Sequence, residues 1–222
     1  MCASAMQAQA AKNKMWEFKV KVRTQMDGDD HRIIYPLQPM AFARLDPSGD
    51  KEALVGQFGL VPEWVTDAKG GPKFGRHCYN ARKETIFEKP SFRTAILKRR
   101  AIVPVTSFFE FPDKEVPLKH RYKISRKDGH AFWLAAIWEH NPRYNMDSLS
   151  VITTTPMDLV EKFHSRSPVI LADAQVDQWL DPGLESRRQL EPLMAFSSSE
   201  GLVLEEEPWD RKRKSSNEPE LF

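Results

Sequence analysis

The stretch from residue 40 to residue 61 limits the fold more than any other. Two apolar runs, residues 40–45 and 53–61, flank Asp46-Pro47-Ser48-Gly49-Asp50. Proline fixes the backbone there and glycine frees it, so the chain must reverse between two extended segments. The pair reads as a hairpin. Similar punctuation recurs along the chain. Residues 32–35 are cut from residue 40 by Pro36-Leu37-Gln38-Pro39, and residues 101–106 and 149–154 read as further strands. Residues 121–125 and 131–138 flank Asp128-Gly129, a hairpin signal. Trp16, Phe18, Val20 and Val22 alternate with Glu17, Lys19 and Lys21, which predicts a strand with one buried face.

Helical signals are short. They cover residues 3–13, residues 91–97, residues 157–163 with Thr155 as N-cap and Pro156 in the first turn, and a piece capped by Asp173 that reaches Trp179 and Leu180. Residues 66–75 are expected to be a surface loop. The sum is one strand-rich α+β domain over residues 1–204, with a charged, flexible C-terminal tail at residues 205–222.

Composition narrows the function classes. A chain of 222 residues can bury a full core. Its net charge of +2, from 33 basic and 31 acidic residues, gives no bulk attraction for nucleic acid. Any basic patch must come from segregated charge. Two cysteines, Cys2 and Cys78, imply no disulfide framework and fit a reducing compartment. No stretch approaches a membrane span, and Gln7, Gln9, Lys12 and Lys14 interrupt any signal core. A soluble cytoplasmic protein is expected. The histidines at 31, 77, 120, 130, 140 and 164 show no ligand spacing, and neither a phosphate-cradling glycine loop nor a Gly-x-Ser-x-Gly elbow occurs. No metal and no cofactor are expected.

The chemistry-bearing groups begin at Met1-Cys2. Removal of Met1 would put an α-amine and a thiol on one residue, and both have a nucleophilic fraction near neutral pH. An amine attacks an aldehyde to give an imine, and the neighbouring thiol can then close a five-membered ring. Equally, Cys2 can be no more than the second residue of a frayed terminus. Glu110 lies between Phe109 and Phe111. It is either a desolvated carboxyl with a raised pKa or an outward-facing residue of an alternating strand. Asn80, Arg82 and Glu84 alternate and share one side if extended. His164, Arg166 and Pro168 follow the expected helix at 157–163. Pro39 and Trp64 are rigid apolar groups that either stack on unpaired bases or close a core. The run Arg211-Lys212-Arg213-Lys214 reads as a solvated tail.

In this order the chain resembles the SRAP (SOS response-associated peptidase) family. The matching pieces are Met1-Cys2, Phe58-Gly59-Leu60-Val61-Pro62-Glu63-Trp64, Asn80-Ala81-Arg82-Lys83-Glu84-Thr85 and Arg99-Arg100-Ala101-Ile102-Val103-Pro104. Phe108-Phe109-Glu110-Phe111 and His164-Ser165-Arg166-Ser167-Pro168 complete the set. The resemblance implies a twisted, barrel-like antiparallel β core with short flanking helices. It also implies a protein, expected as a monomer, that binds single-stranded DNA and crosslinks to abasic sites through a thiazolidine on Cys2. Asn80 would orient Cys2, Glu110 would shuttle protons, and His164 would promote opening of the sugar ring. Arg82 and Arg166 would hold phosphates, while Pro39, Trp64 and Phe111 would stack against bases. A thiol peptidase using Cys2, Glu110 and His164, and a non-catalytic single-stranded-DNA-binding module, are the alternatives. The chain departs from the family pattern at Ala3 and Ser4, where Gly-Arg is usual, at Phe111, where Trp is usual, and at Cys78.

Overall fold

The computed structural model describes residues 4–22, 33–113, 119–195 and 199–209. The strands, in chain order, are β1 (Ser4–Met6), β2 (Lys21–Val22), β3 (Ile33–Ile34), β4 (Pro39–Leu45), β5 (Lys51–Phe58), β6 (Asn80–Arg82) and β7 (Arg100–Val105). They continue with β8 (Ser107–Glu110), β9 (His120–Arg126), β10 (Phe132–Asn141), β11 (Met146–Thr154), β12 (Ser167–Pro168), β13 (Ile170–Leu171) and β14 (Leu202–Pro208). The α-helices are α1 (Gln9–Glu17), α2 (Arg93–Lys98), α3 (Val176–Leu180) and α4 (Arg187–Leu190), and short 3-10 turns include Asp67–Lys69 and Gly71–His77 where a loop was expected.

The turn at residues 46–50 does make a hairpin, with Leu45 opposite Lys51 and Pro39 opposite Gln57. From it a barrel is built. β4 pairs with β7, β7 with β10 and β10 with β11, all antiparallel. The ring closes where β11 meets β5 in parallel, Ser148 beside Gln57 and Leu149 beside Phe58. Closure leaves these five strands without a free edge. Strand alternation then sorts side chains to two sides. Met40, Phe42, Phe58, Val103, Leu134 and Val151 fill one core within the ring. Ala43, Ile102, Trp133 and Ile137 face outward onto Met15 of α1, Ile96 of α2 and Trp179 of α3.

Beside the barrel, β14, β9, β8, β1 and β3 form a second sheet in that order. It places Ser4 opposite Phe109, the neighbour of Glu110. Where β10 and β11 part, β12 and β13 lie between them, with Pro168 on Thr153 and Leu171 on Trp133. β6 runs along the other side of β11, Asn80 beside Val151 and Arg82 beside Thr153. Gly59 makes the turn out of β5 possible, because its φ is +134° and a Cβ there would stand 2.5 Å from the Gly75 carbonyl oxygen.

Several expectations fail, each for a visible reason. The alternation at residues 16–22 is not a strand throughout. Trp16 and Glu17 end α1, whose Ala11, Lys14 and Met15 are buried at helical spacing, and Trp16 is 63% exposed. Asp128-Gly129 does not join a hairpin, since β9 pairs with β8 and β14 while β10 belongs to the barrel. The turn carries the chain between sheets. Residues 157–163 form successive turns rather than a helix, with Val160 and Glu161 both donating to the Met157 carbonyl. β14 extends the ordered sheet to Pro208, four residues past the boundary expected at 204. The basic run at 211–214 lies outside the described residues. No helix among the described residues is long and apolar enough to cross a membrane.

Candidate active site

Glu110 is the last residue of β8, opposite Tyr122 of β9, and is fully buried. Of the two settings the sequence left open, burial holds. Loss of water around the carboxyl, helped by the charge of Asp113, pushes its pKa up to about 8. At neutral pH this side chain is an acid holding its proton.

The turns at 157–163 deliver His164 to the same place. Phe163 stacks on Tyr122 with ring centroids 4.0 Å apart, pinning the turn to β9. His164 is buried, and its Nε2 lies 3.4 Å from Glu110 Oε2 and 3.1 Å from Asp113 Oδ1. Its Nδ1 meets the backbone of Arg166, 2.9 Å from the carbonyl oxygen and 3.1 Å from the amide nitrogen. Burial pulls the imidazole below its ordinary pKa; the Asp113 carboxylate works the other way and the Arg166 guanidinium adds to the fall. Asp113 itself is tied to this turn. Its amide donates to the Phe163 carbonyl, and its Oδ2 accepts from the Ser165 amide at 2.8 Å.

Asn80, Arg82 and Arg166 gather around the end of β11. Asn80 is buried on β6, and Arg82, two residues on, is exposed. Thr153 is flanked by Arg82 on one side and Pro168 on the other. Arg166 donates to the Thr153 carbonyl at 2.7 Å and forks onto both oxygens of Glu84.

The expected base-stacking groups are spread more widely. Pro39 is exposed at the start of β4. Trp64 is 42% exposed, edge-on to Phe74, with the Lys69 ammonium 4.5 Å above its ring. Phe111 is half-buried and meets the edge of Trp209 at 5.0 Å. Cys2 lies outside the described residues. Ser4, two residues later, is buried in the sheet against β8. Cys78 is buried, which raises its thiol pKa, as an inert core thiol requires.

Asp113, Trp209 and Arg121 were not legible as site groups. Asp113 follows Pro112 and reads as an ordinary turn residue. Trp209 sits in a charged segment, and Arg121, whose guanidinium covers Phe109 at 4.5 Å and Trp209 at 5.2 Å, belongs to an expected strand. Among the described residues, no group of three His, Cys, Asp or Glu side chains could hold a metal ion.

Chemically, the centre is a buried acid and a neutral imidazole 3.4 Å apart, beside Arg82 and the Arg166–Glu84 ion pair. A family model described as SOS response associated peptidase (SRAP) matches residues 1–206. The abasic site processing protein YoqW of Bacillus subtilis is 38% identical over 132 residues, which is 57% of this chain and 56% of that one. The abasic site processing protein YoaM of Bacillus subtilis is 35% identical over 141 residues, 62% of this chain and 60% of that one. The chain thus matches little more than half the length of these relatives. A crystal structure of a Bacteroides thetaiotaomicron protein covers 99% of this chain and 98% of its own, with a TM-score of 0.78 at 24% identity, and has the same fold.

Proposed function

Because the chain belongs to the SRAP family, we propose that it captures abasic sites in single-stranded DNA by a covalent bond to Cys2. The observation that carries this reading is the Glu110–His164 pair, 3.4 Å apart and sealed from solvent, with Glu110 in a sheet whose β1 strand starts two residues after Cys2. Two residues of extended chain reach about 7 Å, so Cys2 can work beside Glu110.

The ring-opened abasic sugar offers a C1 aldehyde. With Met1 removed, the Cys2 amine adds to C1, Glu110 gives its proton to the departing oxygen, and water leaves as the imine forms. The thiol then adds across the imine, carbon to sulfur and proton to nitrogen, closing the thiazolidine. An acid with a pKa near 8 is suited to giving and retaking a proton at neutral pH. His164 would assist opening of the sugar ring, and Asn80 would orient the Cys2 amine or thiol. Arg82 and Arg166 would hold flanking phosphates, and Pro39, Trp64 and Phe111 would meet bases. The working form would be a monomer on single-stranded DNA.

The test is incubation of the mature protein with an oligonucleotide carrying one abasic site. A band that survives denaturation is expected, and Cys2→Ala should remove it. No band with the wild type, at a mass confirming loss of Met1, overturns the reading. The family description also names a peptidase. Turnover of unrelated peptides, followed by mass spectrometry, would favour that activity instead.

A further inference from the structure

His164 presents an unresolved choice that one residue decides. At Nδ1 the backbone of Arg166 offers both an acceptor, its carbonyl oxygen at 2.9 Å, and a donor, its amide at 3.1 Å. That side accepts either neutral tautomer. At Nε2, Asp113 Oδ1 stands 3.1 Å away, and an ionised carboxylate only accepts hydrogen bonds. We infer that Asp113 is a positioning residue that keeps the proton of neutral His164 on Nε2, leaving Nδ1 to accept the Arg166 amide.

The geometry of Asp113 suits the task. Its backbone amide is fastened to the Phe163 carbonyl and its Oδ2 to the Ser165 amide, so Oδ1 is aimed by bonds on both sides of the histidine. Burial nudges the Asp113 carboxyl upward, but the hydrogen bonds from Ser165 and the field of His164 outweigh it and keep it ionised. The charged and titratable groups acting on the imidazole are Glu110 from β8, Asp113 from the turn after β8, the Arg166 guanidinium and the chain's α-amine.

The consequence concerns Glu110. Its Oε2 faces the same Nε2 at 3.4 Å. With that nitrogen already protonated, neutral His164 cannot strip Glu110 of its proton. The acid stays loaded until substrate takes the proton. This part rests on the proposed function; the tautomer itself does not.

The experiment is long-range proton–nitrogen correlation NMR on the full-length 15N-labelled protein, with His164→Gln to assign the ring. The wild type is expected to carry its proton on Nε2 at pH 7.5. Asp113→Asn turns an amide N–H toward Nε2 and should move the proton to Nδ1, whereas Asp113→Glu should leave it in place. Asp113→Ala, which keeps the backbone bond to Phe163, should lower the titration midpoint of His164 because a carboxylate that raises it is gone. A wild-type proton on Nδ1, or an unchanged tautomer and midpoint in the Asn and Ala variants, overturns the inference. These readouts need no DNA, so a protein that fails to crosslink would end the proposed function and leave this result intact. Where crosslinking occurs, Asp113→Asn should slow it by about tenfold at pH 7.5.

Discussion

Arg166 and Glu84 meet in a two-point ion pair, each guanidinium nitrogen 2.9 Å from one carboxylate oxygen. Glu84 is the more exposed partner, with 48% of its side chain accessible against 13% for Arg166. The Arg166 hydrogen bonds hold the Glu84 carboxyl below its usual pKa, so it is charged at any physiological pH. A DNA phosphate that reaches Arg166 must therefore compete with a carboxylate of the same sign and similar fork geometry. Glu84→Gln is expected to tighten single-stranded DNA binding roughly fivefold, the worth of about 1 kcal/mol for a partly exposed pair. Fluorescence anisotropy with a labelled oligonucleotide checks this. Weaker binding by Glu84→Gln would mean that the carboxylate serves Arg166 by holding it in position.

Arg82 presents the opposite case. It is exposed beside Thr153, and no ion pair among the described residues holds it. Arg82→Ala should reduce the slope of log affinity against log salt by about 0.7, the signature of one lost contact to a single-strand phosphate. Titrations at several salt concentrations measure that slope directly. An unchanged slope with lowered affinity would assign Arg82 a packing role.

Glu110 makes stability depend on pH in a direction opposite to most carboxylates. Its folded pKa of about 8 stands above the unfolded value of 4.5. Between those two values the native state holds a proton that the unfolded chain releases. Stability therefore falls as pH rises from 4.5 to about 8. Glu110→Gln removes that penalty. The variant should gain thermal stability relative to wild type on going from pH 5 to pH 8, while crosslinking is lost. Melting curves at the two pH values suffice, and parallel shifts of both proteins would contradict a buried acid.

How much of this could be read from the residues depends on how local each feature is. The hairpin at residues 46–50 was legible because proline and glycine act on their own backbone. The protonated state of Glu110 was legible as one of two settings, since Phe109 and Phe111 flank it. Closure of the barrel was not, because it depends on Gln57 meeting Ser148 from far along the chain. Asp128-Gly129 carries true turn chemistry, yet turn chemistry fixes a reversal and not which strands pair afterwards. Trp16 fitted an alternating pattern, and only the packing of Met15 against the barrel shows that helical spacing prevails. Asp113 acts on a turn whose Ser165 lies 52 residues away, a distance no motif spans.

Arg100 yields the last prediction, about the frame and not the chemistry. It opens β7 and is buried, without a carboxylate in its hydrogen-bonding fork. Its Nε donates to the Trp179 carbonyl at 2.7 Å, Nη1 to those of Ile96 and Leu97 at 2.9 Å each, and Nη2 to that of Asp181. The carbonyls of Ile96, Leu97 and Trp179 lie in the last turns of α2 and α3, where intrahelical partners run out, and Asp181, just past α3, also accepts from the Leu184 amide. One guanidinium thus closes two helix ends and holds both to the barrel wall. Burial lowers its pKa, but a guanidinium remains charged. Arg100→Met would leave the buried Ile96 and Trp179 carbonyls unsatisfied, at a cost of roughly 3 kcal/mol or more. Arg100→Lys should recover less than half of that, because an ammonium donates from one point and cannot span two helices. Urea unfolding reports both, as a lowered midpoint at constant slope. A loss near zero for Arg100→Met would mean that water reaches these carbonyls once the side chain is gone.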